Sequence, residues 1–326
     1  MPTAKVLAVF HCAVIALGFA CGLPAAALAG DTSVWHGMRP LTGGKGYVAT
    51  PMGQVHYRDV GPRDGTPILL LHQSPWSMVE FADVQNALAA RGFRAITVDT
   101  PGYGMSDAPP KAPSMAELAD NLVPVLDGLG IQAVVVGGHH TGASIAVAFA
   151  ARHAERVTGL IIHGVPLYSA EERARLLAMP GADRTLRPDG SHLSRYFRYV
   201  LDVAGDAPVK SFVDLRNANW AVLTLYLPDE DIGHGAAFSY DMAPDLDRIR
   251  VPTLVLSDLG DSLHATDLRV VELHPKFKYI QFSTGRLLGL MSEPDRWAGI
   301  AADFVSSLPK GSRSGAGGDG RQLLGR

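Results

Sequence analysis

Short apolar runs alternating with segments of helical spacing are the feature that most narrows what this chain can become. Pro67 to Leu71, Ala95 to Val98, Ala133 to Val136 and Val157 to Ile162 are runs of the kind a strand buried on both faces requires. Between them, Met78 to Arg91, Met115 to Leu129 and Thr141 to His153 place apolar residues at helical intervals, the first stopping at Gly92. Before them, Gln54 to Val60 alternates like a strand and ends in the turn-rich Gly61 to Gly65. Strands alternating with helices predict a mostly parallel, doubly wound α/β sheet with helices on both faces.

The alternation fails from Leu167 to about Leu246, where the chain is helical, aromatic and irregular, and then resumes. Strand Thr253 to Leu256, helix Ala265 to Leu273, strand Tyr279 to Phe282 and helix Pro294 to Leu308 follow Pro252. The expected organisation is therefore a core over residues 30–166 and 247–309, with a helical cap, 167–246, inserted between them. Lys310 to Arg326, rich in Gly, Ser and Arg, is expected to be a disordered tail.

The first 29 residues belong to another composition class. Met1 to Lys5 carries one positive charge, Val6 to Ala20 is almost wholly apolar, and Ala27-Leu28-Ala29 closes the segment with small residues. That order predicts a secretory signal peptide, and a secreted or periplasmic mature chain beginning near Gly30. The competing reading is an uncleaved anchor, since the apolar run approaches the length of a span. Gly22, Pro24 and the alanines interrupt a helix before the site, which favours cleavage. Both cysteines, Cys12 and Cys21, lie in this leader, so the mature chain has no thiol and no disulfide. With a formal net charge of −3, nothing favours nucleic acid or, after cleavage, a membrane as partner. A small molecule is the expected partner, and the sequence sets no oligomeric state.

The chemistry centres on Gly138-His139-His140-Thr141-Gly142, which follows a buried run and opens an alanine-rich helix. A G-x-nucleophile-x-G turn between strand and helix holds its middle residue in a strained conformation that neighbouring side chains would obstruct. Other motifs stand in matching order. Leu71-His72-Gln73-Ser74-Pro75 resembles an oxyanion loop, and Asp99 to Asp107 (DTPGYGMSD) is similar to a D-x-x-G-x-G-x-S loop. Pro252 to Leu256 with Asp258-Leu259-Gly260-Asp261 resembles the strand and turn that carry a triad acid, and Glu293 to Arg296 the start of a last helix. Together they resemble the α/β-hydrolase fold from about Gly46 to Leu308, nearest the cap-bearing epoxide hydrolase, dehalogenase and C–C hydrolase branch.

Two departures from that family matter. His140 occupies the elbow where the family carries serine, aspartate or cysteine; Thr141 is one residue late and Ser144 a turn into the helix. The family's base histidine, expected in Ser283 to Gly289, is replaced by Arg286, and no histidine follows His274. A serine triad cannot be assembled from these positions. The resemblance instead implies an oxyanion hole from the Gln73 and Thr141 amides, with His140 as general base or atypical nucleophile. Asp261 is the expected acid and Asp258 its runner-up. His72, His139, Trp76, His234 and Arg286 are candidate pocket residues. For His72, bracing of the loop competes with that role, and for His139 packing does; His163 suits a core histidine. Zinc-type spacing such as H-x-x-x-H is absent, so no metal and no other cofactor is expected.

These readings imply an exported enzyme acting on a small, largely apolar carbonyl compound of ester or lactone type. Two alternatives stay open: a lyase, isomerase or cofactor-free oxygenase on the same fold, or a degenerate member that binds without chemistry.

Overall fold

In the computed structural model the described residues are 44–309, without 181–182, 184, 283–288 and, apart from Leu215, Asn219 and Val222, 204–231. The expected leader, the tail and Arg286 therefore lie outside the described residues. The strands are β1 (Gly44–Thr50), β2 (Gly53–Val60), β3 (Pro67–Leu71), β4 (Arg94–Val98), β5 (Val134–His139), β6 (Val157–His163), β7 (Thr253–Asp258) and β8 (Lys278–Phe282). They form one eight-stranded sheet in the order β1-β2-β4-β3-β5-β6-β7-β8. β1 and β2 pair antiparallel, β2 joins β4 antiparallel, and every pairing from β4 to β8 is parallel. β1 was not expected from the sequence; Gly44 to Thr50 is its own half-exposed edge and lacks an apolar run.

Consecutive apolar residues in the central strands feed two cores. Leu69 and Leu71 of β3 face one cluster, with Val134 and Val136, while Ile68 and Leu70 face the other, with Val135. The first is covered by α2 (Met115–Asp120), α3 (Leu122–Gly128) and α4 (Thr141–Arg152); the second by α1 (Ala82–Ala90) and, at the far end of the chain, Trp297 and Phe304. Period-two geometry on a sheet buried on both sides thus explains why these strands read as unbroken apolar runs.

Two helices differ from the sequence reading. The segment from Met78 starts as a single 3₁₀ turn, Met78–Phe81, before α1 begins. The segment from Met115 is split at Asn121 into α2 and α3. Pro124 lacks an N–H and its ring collides with the carbonyl four residues earlier, which interrupts a continuous helix there. Between β6 and β7 the described chain contains α5 (Ala170–Ala178), α6 (Ser191–Val203), α7 (Ile232–Ser239) and α8 (Ala243–Leu246), and no strand. The remaining helices are α9 (His264–Leu273), α10 (Gly289–Ser292) and α11 (Pro294–Ser306). Among the described residues no helix is long and apolar enough to cross a membrane.

Candidate functional site

β5 delivers the chain to His140 at the C-terminal edge of the parallel strands, and α4 departs from it. His140 has φ 49° and ψ −113°, the only positive φ outside glycine among the described residues. A conformation of this kind costs roughly 1–3 kcal/mol and persists only where its surroundings enforce it. The His140 N–H donates to the His163 carbonyl at 2.9 Å, and the His140 carbonyl accepts from the Ser144 N–H at 3.1 Å. Two glycines permit the turn. A Cβ on Gly138 would lie 2.1 Å from the Gly142 oxygen, and one on Gly142 would lie 2.0 Å from the Leu71 oxygen. A third, Gly164, escaped the sequence reading: its Cβ would stand 2.4 Å from His140 Cδ2. The absent side chain leaves room for the imidazole.

That imidazole is bonded to an acid. His140 Nε2 lies 2.7 Å from Asp261 Oδ2, and Asp261 Oδ1 accepts the Leu263 N–H at 2.8 Å. The Asp261 side chain is fully buried, while that of His140 keeps 16% of its surface exposed, so solvent reaches the pair through the histidine. Burial pushes the His140 pKa down, but the charge and hydrogen bond of Asp261, with Glu80 and Asp267 beyond, raise it above 6.5. Burial pushes the Asp261 carboxyl up, and the charge and hydrogen bond of His140 outweigh that and hold it well below the usual carboxylate range. In the neutral form, the Nε2 proton belongs to the bond with Asp261. Nδ1 is then the basic nitrogen.

Behind this pair stands a dry layer. The His139 ring centre is 4.3 Å from that of His140 and 4.8 Å from that of His163. His139 Nδ1 lies 2.6 Å from Glu80 Oε1, both side chains fully buried. His163 Nδ1 accepts from the Trp297 indole at 3.3 Å, so its proton sits on Nε2, 3.1 Å from Asp258 Oδ2. Asp258, the second choice for the acid, is thus partnered by His163 and by the Gly289 N–H at 2.9 Å, away from the elbow. Glu80 was not singled out in the sequence. Its only signal there is a lone acid within the apolar run Met78 to Phe81.

Among the other candidate residues, His72 and His139 take the bracing and packing roles weighed for them from the sequence. The Gln73 N–H donates to Glu80 Oε2 at 2.9 Å and its side-chain amide to Glu80 Oε1 at 2.8 Å, so this amide is committed and does not face the elbow as an oxyanion donor. A fully buried carboxyl competes for it more effectively than a transient ligand would. Thr141 opens α4, and its N–H is one of those an α-helix leaves without an intrahelical acceptor. His72 braces the loop: Nδ1 donates to the Gln73 carbonyl at 2.7 Å, and Nε2 accepts the Thr100 N–H at 2.9 Å. Trp76 is buried in the second core cluster. His139 backs the elbow from inside. His234, in α7, stacks on Phe238 with ring centres 5.5 Å apart. Ser144 is buried, and so is Ser257, whose hydroxyl lies 2.9 Å from His264 Nδ1 under the end of β7. Neither serine presents a nucleophile to solvent. For an ion, one donor atom each of His139, His140 and Asp261 lies within 4.8 Å of the others.

The α/β hydrolase fold family model matches residues 66–195. The AB hydrolase superfamily protein YisY of Bacillus subtilis is 37% identical over 218 residues, covering 64% of this chain and 78% of that protein. The chain belongs to the α/β-hydrolase superfamily. Epoxide hydrolase B of Mycobacterium tuberculosis is 34% identical over 144 residues, which is 43% of this chain and 40% of that relative's length. Among solved structures, epoxide hydrolase A of Mycobacterium thermoresistibile superposes with a TM-score of 0.66 at 20% identity, over 82% of this chain and 99% of that one. The Mycobacterium tuberculosis relative carries the name of the branch that the loop motifs resemble. In this chain the elbow presents an imidazole bonded to the acid Asp261.

Proposed function

We propose that this chain is an exported hydrolase of small, largely apolar carbonyl compounds, esters or lactones, with His140 as the general base. The single observation that carries the reading is the His140–Asp261 bond of 2.7 Å at a strained, partly exposed elbow. Asp261 holds the Nε2 proton and leaves Nδ1 to take a proton from water as that water adds to the carbonyl carbon. The developing oxyanion is stabilised by the Thr141 N–H at the positive end of α4. Collapse of the adduct expels an alkoxide, which recovers the proton from His140, giving acid and alcohol. The family's hydrolytic relatives support the reaction class, and the leader Met1 to Ala29 supports export.

One observation favours a second reading. The Gln73 amide is spent on Glu80, so the site has less than the usual oxyanion support for acyl transfer while its base remains intact. Proton abstraction from a C–H or O–H, in a lyase, isomerase or cofactor-free oxygenase, needs only the base. A panel of esters, lactones and enolisable carbonyl compounds, assayed for wild type beside His140→Ala, separates the two. Ester or lactone turnover lost in the variant supports hydrolysis, and turnover of enolisable compounds alone supports the second reading. Covalent labelling of a serine by a fluorophosphonate would defeat both. Export is tested by mass spectrometry of the mature chain, expected to begin near Gly30.

A further inference from the structure

We propose that His139, His140 and Asp261 form a binding site for a divalent transition-metal ion of the zinc class, with Glu80 as the outer carboxylate that orients His139. Two imidazoles and one carboxylate are a donor set that borderline cations such as Zn²⁺ and Co²⁺ accept. The sequence spacing concealed it, because adjacent histidines on a helix or strand diverge. At this elbow the backbone turns through a positive φ, and the two rings stand 4.3 Å apart.

A second observation is independent of that clustering. His139 is fully buried and Nδ1 is taken by Glu80 at 2.6 Å, while Nε2 is buried with no hydrogen-bond partner. Native interiors seldom leave such an atom unmatched without a water, an ion or a chemical role to explain it. An imidazole that gives one N–H to a carboxylate and keeps the other nitrogen bare is the arrangement found behind metal-ligating histidines. With Nδ1 committed, Nε2 is the donor left to His139.

The adjustment needed is small. Tetrahedral bonds of roughly 2.0–2.1 Å place ligand atoms about 3.3 Å apart. His140 Nε2 and Asp261 Oδ2, now at 2.7 Å, would part by about 0.6 Å as an ion replaces the proton between them. One donor atom from each of the three residues already lies within 4.8 Å of the others, and a separation at that limit would close by about 1.5 Å. His140 alone is open to solvent, so the ion enters past it and keeps water as its fourth ligand.

Ion and dyad exclude each other, because both need His140 Nε2 and Asp261 Oδ2. The site therefore does not depend on the hydrolytic reading, and if both hold, Zn²⁺ inhibits.

The test is titration of the chelator-treated full-length protein with Co²⁺, read by its visible absorption, followed by displacement with Zn²⁺. One equivalent of Co²⁺ per chain is expected. His139→Gln and Asp261→Asn should each weaken binding about 100-fold or more, and Glu80→Gln, remote from the ion, about 10- to 100-fold. His153→Gln, at a partly buried histidine bonded to Asp120 and remote from the elbow, should leave it unchanged. Circular dichroism reports folding; if a buried variant fails to fold, His140→Gln decides in its place. The absence of saturable Co²⁺ binding, or binding that survives equally in these site variants, overturns the proposal. His140-dependent turnover in chelator without metal binding refutes the site and leaves the function standing. Turnover that requires added metal refutes the base reading and leaves the site standing.

Discussion

Two carboxylate–imidazole pairs stand side by side at the end of β5 and behave oppositely. His140–Asp261 and His139–Glu80 have almost the same contact, 2.7 and 2.6 Å. In the first the histidine is raised and the aspartate is held low, which favours an ion pair. In the second, burial drives the His139 pKa well below 6.5 and pushes Glu80 up to about 7, so the imidazole stays neutral and the carboxyl is ionised only toward and above that value. The difference lies in the surroundings. His140 touches solvent and faces several carboxylates, whereas His139 is dry and flanked by two other imidazoles. Residue types alone do not say which pair carries charge; solvent contact and neighbouring charges decide it.

The comparison is broken most forcefully by removing the buried carboxyl. Glu80→Ala strips His139 Nδ1, the Gln73 N–H and the Gln73 side-chain amide of their acceptor at once. A loss of several kcal/mol in urea unfolding is expected, at roughly 1–3 kcal/mol for each buried donor left without its acceptor. A loss below about 1 kcal/mol would show that water or repacking replaces the carboxyl.

A smaller effect separates the pairs by pH. A carboxyl raised on folding stabilises the native state while protonated, so the stability it contributes is present below its unfolded value and lost as pH rises. For Glu80 that window runs from 4.5 to about 7, with a loss on the order of 3 kcal/mol. Asp267, also raised by burial to about 7, adds a loss of the same sign from 3.8 upward. The open pair has opposite edges. Asp261, held low, loses its contribution as pH falls below its unfolded 3.8, and His140, raised, loses its own as pH climbs from 6.5 through its folded value. Glu80→Gln should therefore flatten the decline between pH 4.5 and 7 while leaving the acid limb in place. An unchanged profile would contradict the raised Glu80 carboxyl.

The smallest effect is on the rate profile. In chelator, kcat/KM should rise with pH through an ionisation above 6.5, because the base must be neutral while Asp261 favours its protonated form. Asp261→Asn should move that ionisation downward. A profile unmoved by Asp261→Asn would assign it to another group.

The sheet was legible because strands buried on both faces must be apolar without interruption, and the elbow because its glycines are sterically required. β1 was not, since an exposed edge needs no apolar run. The split at Asn121 follows from Pro124, a signal present in the sequence but outweighed by helical spacing on either side. Asp261 was identified by its place after β7, yet its bond to His140 depends on the empty space at Gly164. Glu80 and the commitment of the Gln73 amide were not legible, because a buried acid from a neighbouring turn leaves no pattern in the loop it occupies.

The central claim is that His140 acts as a base held by Asp261, and it is tested most directly by kcat for His140→Gln beside His140→Ser. Glutamine keeps the size but removes the basic nitrogen, so kcat should fall on the order of 10²–10⁴. Serine restores the nucleophile type usual at this elbow but places no histidine beside it, so it should not rescue the rate. A glutamine variant with full activity, or a serine variant more active than wild type, would contradict the account.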